Sequence, residues 1–260
     1  MEENSSEKNV KPSHICMERS ETVVNSIREL SVLVIMYPGK WHSDKFHPNC
    51  YSTKIIDWFE GTGTIIGIKR NRVFILSSIH CIPGTKYSFF LKGTATNHEQ
   101  VPITLVLNYF IEENNGIDIA VFSCDARHFS DDVLSRVHDI EWSAPDSFRI
   151  GSKIWLVHFP TSSEPNGVVS THRLFHECFP TISTGTILSE DFNSLTIDST
   201  IIATGGSSGG LIVDEEGRVI AVHDSQHDET PGHTLVSTHR MVRELRQTFK
   251  SNKQLCNLFS

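Results

Sequence analysis

Short apolar strands, each followed by a turn signal, recur along most of this chain and constrain its fold more than any other feature. They occur at short spacing up to about Ser123 and again from Lys153 to about Val236. Short strands at regular spacing favour antiparallel barrels over a parallel sheet with helical crossovers. With 260 residues and 38% hydrophobic content, the chain is long enough to bury a full core. The pattern therefore predicts an all-β protein built from barrels.

Composition around the strands predicts where the chain divides. The polar N-terminal residues indicate a disordered leader, with a short helix from Glu21 to Leu30 ahead of the first strand. A second short helix is expected near Asp131 to Val137, and apolar residues at helical spacing near the end predict a final helix. The expected divisions are a leader, an N-terminal barrel, a linker, a C-terminal barrel with its helix, and a tail: 1–20, 21–124, 125–148, 149–250 and 251–260.

One loop carries the strongest chemical signal. Residues 204–210 read Thr-Gly-Gly-Ser-Ser-Gly-Gly and lead directly into the apolar run 211–213. Glycine loses more entropy on ordering than any other residue, so such a cluster usually serves tight backbone geometry. A bent loop here would present the Ser208 hydroxyl and direct the amides of Gly206 and Ser208 into one small space, as acyl transfer requires. The alternative is a flexible Gly/Ser turn between two strands.

A histidine stands at the end of an upstream hairpin. The strand Val73 to Ile79 ends at His80, just before the turn signal Ile82-Pro83-Gly84. A histidine at a strand end is well placed to face a cleft, and its pKa near neutrality suits a general base. Taken alone, His80 also fits a surface or capping residue.

An aspartate lies between a turn and an apolar strand. Asp118 has isoleucine on both sides, where a carboxylate needs a strong hydrogen-bond partner. An imidazole N–H is such a partner and would fix the tautomer of the histidine. The alternative is an aspartate that caps a turn.

The three motifs together are more specific than any one of them. They follow the order His80, Asp118, Ser208, with separations of 38 and 90 residues. In this arrangement the chain resembles the trypsin-like serine proteases of the chymotrypsin fold, and within them the Deg/HtrA-type and glutamyl endopeptidases. The resemblance covers about residues 30 to 248, and these segments carry it: Gly61-Thr62-Gly63, Leu76 to Cys81, Asp118 to Val121 and Gly206 to Gly210.

The resemblance implies two packed six-stranded antiparallel β-barrels with a C-terminal helix, and a serine endopeptidase that needs no cofactor. Ser208 would attack a peptide carbonyl of a protein or peptide substrate, while His80, oriented by Asp118, would transfer the proton. The amides of Gly206 and Ser208 would bind the oxyanion. Ser207 stands where digestive relatives carry an aspartate that binds a newly cut N-terminus. Activity without proteolytic trimming is therefore expected.

The resemblance also suggests which residues select the substrate. It places Ile202 and Ala203 near the base of the primary specificity pocket, and neither is acidic, so cleavage after Lys or Arg is not expected. His223 stands where glutamyl endopeptidases and viral 3C-like proteases carry a histidine that binds a Glu or Gln side chain. Asp224 follows and would repel glutamate, which favours glutamine, and a small apolar residue stays open. The alternative is a strand-end histidine paired with Asp224.

Charge and composition exclude several classes of partner. A net charge of −8 argues against nucleic acid or an anionic membrane. No run reaches the roughly 18 apolar residues of a membrane helix, and residues 1–17 lack the apolar core of a secretory signal. Six scattered cysteines form no disulfide scaffold, which favours the cytosol or the nucleus. His223 and His227 lie in a strand and loop rather than on the helix typical of such a zinc-binding pair, so no metal is expected.

Two functions of other classes stay open. One is a catalytically silent pseudoprotease that keeps the fold and binds protein partners. The other is a chaperone-like module in which proteolysis is secondary, since Deg/HtrA relatives combine such activities. The sequence does not indicate whether the protein is a monomer or an oligomer.

Overall fold

Two barrel-like sheets account for most of the described chain, as the strand pattern predicts. The computed structural model describes residues 14–38, 59–78, 87–92, 103–111, 119–142, 149–160, 179–191, 196–226 and 234–237. Within these ranges, all strand pairings are antiparallel except one between the short linker strand and the second sheet. The prediction of an all-β, two-barrel architecture is confirmed, whereas the predicted C-terminal helix and the tail lie outside the described residues.

The first barrel contains six strands and is closed, in the order β1-β2-β3-β6-β5-β4. Its β2–β3 hairpin turns at Arg70 and Asn71, whose φ angles of 49° and 62° are those of the tight turn that suits the twist of paired strands. The strands are β1 Ser31–Pro38, β2 Phe59–Lys69, β3 Arg72–Ser77, β4 Tyr87–Lys92, β5 Ile103–Ile111 and β6 Ile119–Asp125.

The second sheet contains seven strands in the order β11-β8-β9-β10-β13-β12-β7. An additional pairing of β11 with β12 joins the two ends of its six longer strands, and β7 adds to the outer edge of β12. The strands are β7 Glu141–Trp142, β8 Lys153–His158, β9 Thr181–Asp191, β10 Thr196–Ser199, β11 Leu211–Asp214, β12 Arg218–Gln226 and β13 Thr234–Ser237.

The N-terminal helix α1 (His14–Leu30) begins seven residues before the expected Glu21, so the predicted disordered leader is wrong for residues 14–20. The helix closely approaches the turn between β11 and β12. A Cβ atom on Gly217 would lie 3.5 Å from the Cα of Ser20, which is itself 1% exposed. Two small residues therefore permit a contact that hydrophobic periodicity does not reveal.

The linker differs from the expected boundaries of 125–148. Asp125 still belongs to β6, and β7 pairs in parallel with β12, so the strand lies within the predicted linker but belongs to the second sheet. The expected short helix is present as α2 (Asp131–Ser135), which Ser130 caps, followed by a 3-10 helix at Arg136–Asp139. The linker is tied to α1, since the Ser26 hydroxyl donates to Asp139 at 2.6 Å.

The core has three parts, one within each barrel and one between them. The shared part includes α1 and strands of both barrels, which fixes the barrels against each other through apolar burial. Its members include Val23, Val24, Ile27, Leu76, Val121, Val157, Val213 and Val222. The first barrel encloses Val32, Val34, Ile65, Ile75 and Phe122, and the second encloses Ile154, Leu156, Ile187, Ile197, Ile212 and Ile220.

Candidate active site

Ser208 lies in the loop between β10 and β11, at the face where the second barrel meets β2 of the first. The side chain is half-buried, and the loop ends at the buried strand Leu211–Asp214. Gly206 and Gly209 have φ angles of +81° and +89°, a region that non-glycine residues rarely adopt. The glycine cluster therefore serves a defined bend and not merely a flexible connection.

The peptide group between Gly206 and Ser207 is held at both ends. The Gly206 carbonyl accepts a hydrogen bond from the Thr62 hydroxyl at 2.7 Å. The Ser207 N–H donates to the carbonyl of Thr204 at 3.1 Å. With both polar groups bonded, this peptide plane has a fixed orientation.

The peptide group between Ser208 and Gly209 is held in the same way. The Ser208 carbonyl accepts from the Thr62 N–H at 2.7 Å, and the Gly209 N–H donates to the His223 carbonyl at 2.7 Å. There is no space for a side chain at Gly209, because a Cβ atom there would lie 2.1 Å from the Thr62 carbonyl oxygen and 2.6 Å from the Ser78 nitrogen. Close contact with the first barrel and the backbone angle both require glycine.

The intervening peptide group sets the direction of the Ser208 amide. The Ser207 carbonyl accepts from the Gly210 N–H at 3.0 Å. In a planar trans peptide the N–H points opposite to the C=O. The Ser208 N–H is therefore directed away from Gly210 by a bond that fixes its own peptide unit.

Thr62, at the middle of β2, links the first barrel to this loop. The residue is fully buried. Its hydroxyl donates to the Gly206 carbonyl and accepts from the Phe159 N–H at 2.8 Å. Its N–H donates to the Ser208 carbonyl, and its own carbonyl accepts from the Ser77 hydroxyl at 2.7 Å. These four hydrogen bonds therefore help to hold the Ser208 loop or the strands beside it.

A buried histidine, His158 at the end of β8, contacts the side chain next to Ser208. Its Nδ1 lies 2.7 Å from the Ser207 hydroxyl oxygen, and its Nε2 lies 3.0 Å from that of Ser183. The Ser207 oxygen also accepts from the Thr204 N–H at 3.0 Å. Burial lowers the pKa of His158 from 6.5 to about 4, because the interior disfavours the charged imidazole. The ring is therefore neutral at pH 7.

The three residues expected near the substrate occupy different environments. His223 is 2% exposed, and its backbone bonds to Gly209 and Gly210 place it beside the Ser208 loop. Ala203 is buried, whereas the Ile202 side chain is 69% exposed. The structure thus brings His223 next to the loop and leaves the Ile202 side chain facing solvent.

His80 and Asp118 lie outside the described residues. The strands that lead to them are described, since Ser78 is buried beside the Ser208 loop and Ile119 begins β6. The register of β3 and β6 pairs Ser77 with Ala120. The predicted pairing of His80 with Asp118 stays a prediction.

Sequence reasoning did not single out two residues of this site. Thr62 is one of two threonines in β2, and the flanking Gly61 and Gly63 draw attention to the motif instead. His158 ends an apolar strand just before Phe159-Pro160, which gives a weak signal. Their contacts with the loop span up to 144 residues of chain, so no local pattern indicates them.

Three features of the described residues bear on other kinds of site. Among the described residues, no three His, Cys, Asp or Glu side chains are close enough to hold a metal ion, and His227 lies outside them. Within the same ranges, no helix has the length and apolar character needed to cross a membrane. Cys124 is a free thiol in the described part of the chain, and burial raises its pKa to about 12.

Comparison with known proteins shows similarity at two levels, that of a sequence family and that of the fold. The family model described as "Trypsin-like peptidase domain" matches residues 61–222, which is more than half of the chain. The fold is similar to that of a serine endoprotease from Yersinia pestis in its crystal structure, with a TM-score of 0.56 and 14% sequence identity. That match covers 88% of this chain but only 65% of the other, so the chain spans just under two thirds of its length. At this identity the likeness is one of fold. No curated protein sequence matches the chain.

Proposed function

The chain belongs to the trypsin-like peptidase domain family, and on that basis we propose that it is a serine endopeptidase acting on protein or peptide substrates. Ser208 is the proposed nucleophile, His80 the general base and Asp118 the group that orients His80. The amides of Gly206 and Ser208 are the proposed oxyanion donors. The proposal extends the family assignment to named residues of this chain.

The observation that carries the proposal is the fixed shape of the Ser208 loop. Hydrogen bonds hold the peptide groups on both sides of Ser208, and the Ser207 carbonyl bond directs the Ser208 N–H. An oxyanion hole works because its donors are oriented before charge develops, so no reorganisation is needed during the reaction. A loop held in this manner supports catalysis better than it supports a flexible Gly/Ser turn.

Chain connectivity supports the role of His80. The Ser78 backbone nitrogen is packed against Gly209, one residue from Ser208. His80 follows Ser78 by two residues, and each trans peptide step spans 3.8 Å between Cα atoms. The sequence thus sets His80 only two peptide steps from a residue that is packed against the Ser208 loop, which is the position that the proposed general base requires.

The strand register supports the role of Asp118. In the β3–β6 ladder Ser77 pairs with Ala120 in antiparallel register. In the sequence His80 follows Ser77 by three residues and Asp118 precedes Ala120 by two, so both residues follow or precede the strands at the same end of this ladder. A carboxylate in that position can accept the imidazole N–H that fixes the tautomer of the base.

The proposed reaction has two stages. The Ser208 oxygen bonds to the substrate carbonyl carbon while its proton passes to His80, and the negative charge on the carbonyl oxygen is bound by the two amides. The C–N bond then breaks as His80 gives the proton to the leaving amine. Water repeats the sequence in place of the serine, which releases the carboxylic acid and restores the Ser208 hydroxyl.

A fluorophosphonate probe tests this proposal directly. An activated serine attacks the phosphorus, fluoride leaves and the probe stays attached. Wild type should be labelled at Ser208, whereas Ser208→Ala and His80→Ala should not be labelled. Asp118→Asn should be labelled about 10³- to 10⁴-fold more slowly. Ser135→Ala is the matched control, because this exposed serine lies in the linker helix, away from the loop.

The labelling result separates the proposal from its alternatives. Labelling that survives in Ser208→Ala would contradict the assignment of the nucleophile. A folded wild-type protein that takes up no probe and cleaves no peptide would support the pseudoprotease instead. Cooperative urea unfolding of each variant establishes that the variants are folded.

We further propose that His223 selects the residue before the cleaved bond, with glutamine preferred over glutamate and a small apolar residue the remaining option. The burial of His223 beside the loop supports this role. Its backbone is hydrogen-bonded to Gly209 and Gly210, which are the two residues that follow Ser208. Imidazole can donate a hydrogen bond to an amide or carboxylate oxygen. Neither Ala203 nor Ile202 offers a carboxylate to a basic side chain.

Matched peptides with Gln, Glu, Val or Arg at this position test the selectivity. We expect wild type to favour Gln, and His223→Ala to lose that preference by at least about tenfold, the usual worth of one specific polar contact. His138→Ala is the control, since this exposed histidine lies in the linker. An identical profile for wild type and His223→Ala would contradict the proposal.

A further inference from the structure

We infer that His158 is a positioning residue for the proposed reaction: its imidazole holds the Ser207 hydroxyl, and Ser207 in turn orients the peptide unit that carries the Ser208 N–H. The inference rests on the proposed function, because it names what keeps the Ser208 loop in its working shape. The contacts that carry it join residues 49 and 25 positions apart, so they are tertiary rather than part of the loop's own turn.

Ser207 is the most constrained residue of the loop. It is fully buried, and its N–H, carbonyl and hydroxyl all form hydrogen bonds. The residue stands directly between Gly206 and Ser208, whose amides are the proposed oxyanion donors. Rotation at Ser207 would turn the peptide planes on both sides, and the plane that follows it carries the Ser208 N–H, so fixing the Ser207 side chain limits the motion of that donor.

The protons in this network have one arrangement that satisfies every group. The Ser207 oxygen already accepts from the Thr204 N–H, so its own hydrogen needs an acceptor. Among the described residues, the His158 Nδ1 at 2.7 Å is the acceptor for the Ser207 hydroxyl. The Nε2–H then donates to the Ser183 oxygen at 3.0 Å. A buried hydroxyl without an acceptor is costly, which selects this tautomer.

The environment of the imidazole keeps this arrangement near neutral pH. Burial lowers the pKa of His158 to about 4, so at pH 7 the ring is uncharged and its Nδ1 carries a lone pair. Ser183 holds the far side of the ring from β9. An uncharged contact between side chains of the second barrel therefore holds the loop in place. This contact does not depend on an N-terminus created by proteolytic cleavage.

Two substitutions of His158 test the hydrogen bonds of its two ring nitrogens separately. Asparagine places an amide oxygen about where Nδ1 lies, so His158→Asn keeps an acceptor for Ser207 but does not reach Ser183. Glutamine reaches the position of Nε2, so His158→Gln keeps the Ser183 contact and leaves the Ser207 hydroxyl without its acceptor. His158→Ala removes both contacts, and Ser207→Ala removes the hydroxyl itself.

Two measurements on the full chain test the inference. Fluorophosphonate labelling gives a maximal rate and a half-saturating concentration, and hydrogen exchange reports how often the amides of residues 204–208 open. We expect His158→Ala, His158→Gln and Ser207→Ala to lower the maximal rate roughly tenfold to a hundredfold with the half-saturating concentration little changed, as for an interaction made in the transition state. Exchange in the loop should accelerate in the same three variants. His158→Asn should recover most of both.

The double variant His158→Ala/Ser207→Ala gives an internal check. Since both residues act through one contact, the double variant should label no more slowly than the slower single variant. The inference is overturned if His158→Ala labels and exchanges like wild type, or if Asn and Gln give equal effects. If wild type does not label at all, the proposed function fails, and the exchange of residues 204–208 alone decides whether His158 positions the loop.

Discussion

The Thr62 hydroxyl donates a 2.7 Å hydrogen bond to the carbonyl of Gly206, and this bond joins the first barrel to the loop that carries Ser208. The same oxygen accepts from the Phe159 N–H at the end of β8. One small side chain in the middle of a strand therefore satisfies two backbone groups of the second barrel.

Removing that hydroxyl should weaken both stability and reactivity. Thr62→Val keeps the shape of the side chain but leaves a buried N–H and a partly buried carbonyl without partners, at a cost of about 2–4 kcal/mol. Urea unfolding measures the loss, and fluorophosphonate labelling should slow because the Gly206 peptide is released. Thr62→Ser, which keeps the oxygen, should stay within about 1 kcal/mol of wild type. Equal behaviour of Val and Ser would contradict the role of the hydroxyl.

Two glycines with nearly the same backbone angle should respond very differently to alanine. Gly151 has φ +88° with open space around it, so Gly151→Ala should cost only the strain of that angle, about 1–2 kcal/mol. Gly209 has φ +89°, and a Cβ atom there would lie 2.1 Å from the Thr62 carbonyl oxygen. Gly209→Ala should therefore cost more than about 4 kcal/mol and abolish labelling. Similar unfolding midpoints for the two variants would show that the contact is not tight.

The depressed pKa of His158 predicts a loss of stability in acid. In the unfolded chain the imidazole titrates near 6.5, whereas in the folded protein it titrates at about 4. Between these values the unfolded chain binds the extra proton, so the free energy of unfolding falls as pH drops from 6.5 towards 4. The contribution reaches about 3 kcal/mol at the acid end.

Urea unfolding of wild type and His158→Asn at pH 7.0, 5.5 and 4.5 measures this effect. Carboxylates titrate in both proteins, so the difference between them isolates His158. We expect wild type to lose about 2 kcal/mol more than the variant over this range. Parallel pH profiles would mean that His158 titrates normally in the folded protein.

Helix α1 should contribute to stability as part of the folded core. Ile27 is fully buried where α1 meets both barrels, so Ile27→Ala should cost about 2–5 kcal/mol in urea unfolding. Asn25 lies on the exposed face of the same helix, and Asn25→Ala should change stability by no more than about 0.5 kcal/mol. A cost for Ile27→Ala that matches Asn25→Ala would mean that the helix is detached in solution.

The sequence was most informative where structure depends on neighbouring residues. Short apolar strands and turn signals at regular spacing predict an all-β protein built from barrels, and the resemblance to trypsin-like proteases implies that there are two. The helix α1 begins at His14 rather than at the expected Glu21, and its packing against the turn at Gly217 joins segments nearly 200 residues apart, which no local pattern indicates.

Only part of the candidate site could be predicted from the sequence, and the reason is related. The glycine cluster identified the Ser208 loop, since its bend needs glycine locally. The groups that hold the loop, Thr62 and His158, come from distant strands and act through single hydrogen bonds. A lone threonine or histidine in a strand carries no sign of its partner, so only the folded arrangement reveals these roles.

The Thr62 bridge also has a consequence for the order of folding. Its hydrogen bonds to Phe159 and Gly206 close loops of 97 and 144 residues. Contacts of such large sequence separation form late, because the entropy cost of closing the loop must be met first. A chain with only one barrel formed lacks this bridge and holds the Ser208 loop less firmly. On the proposed function, newly made or half-folded molecules would therefore cleave other chains poorly, and the two barrels must pack together before Ser208 becomes reactive.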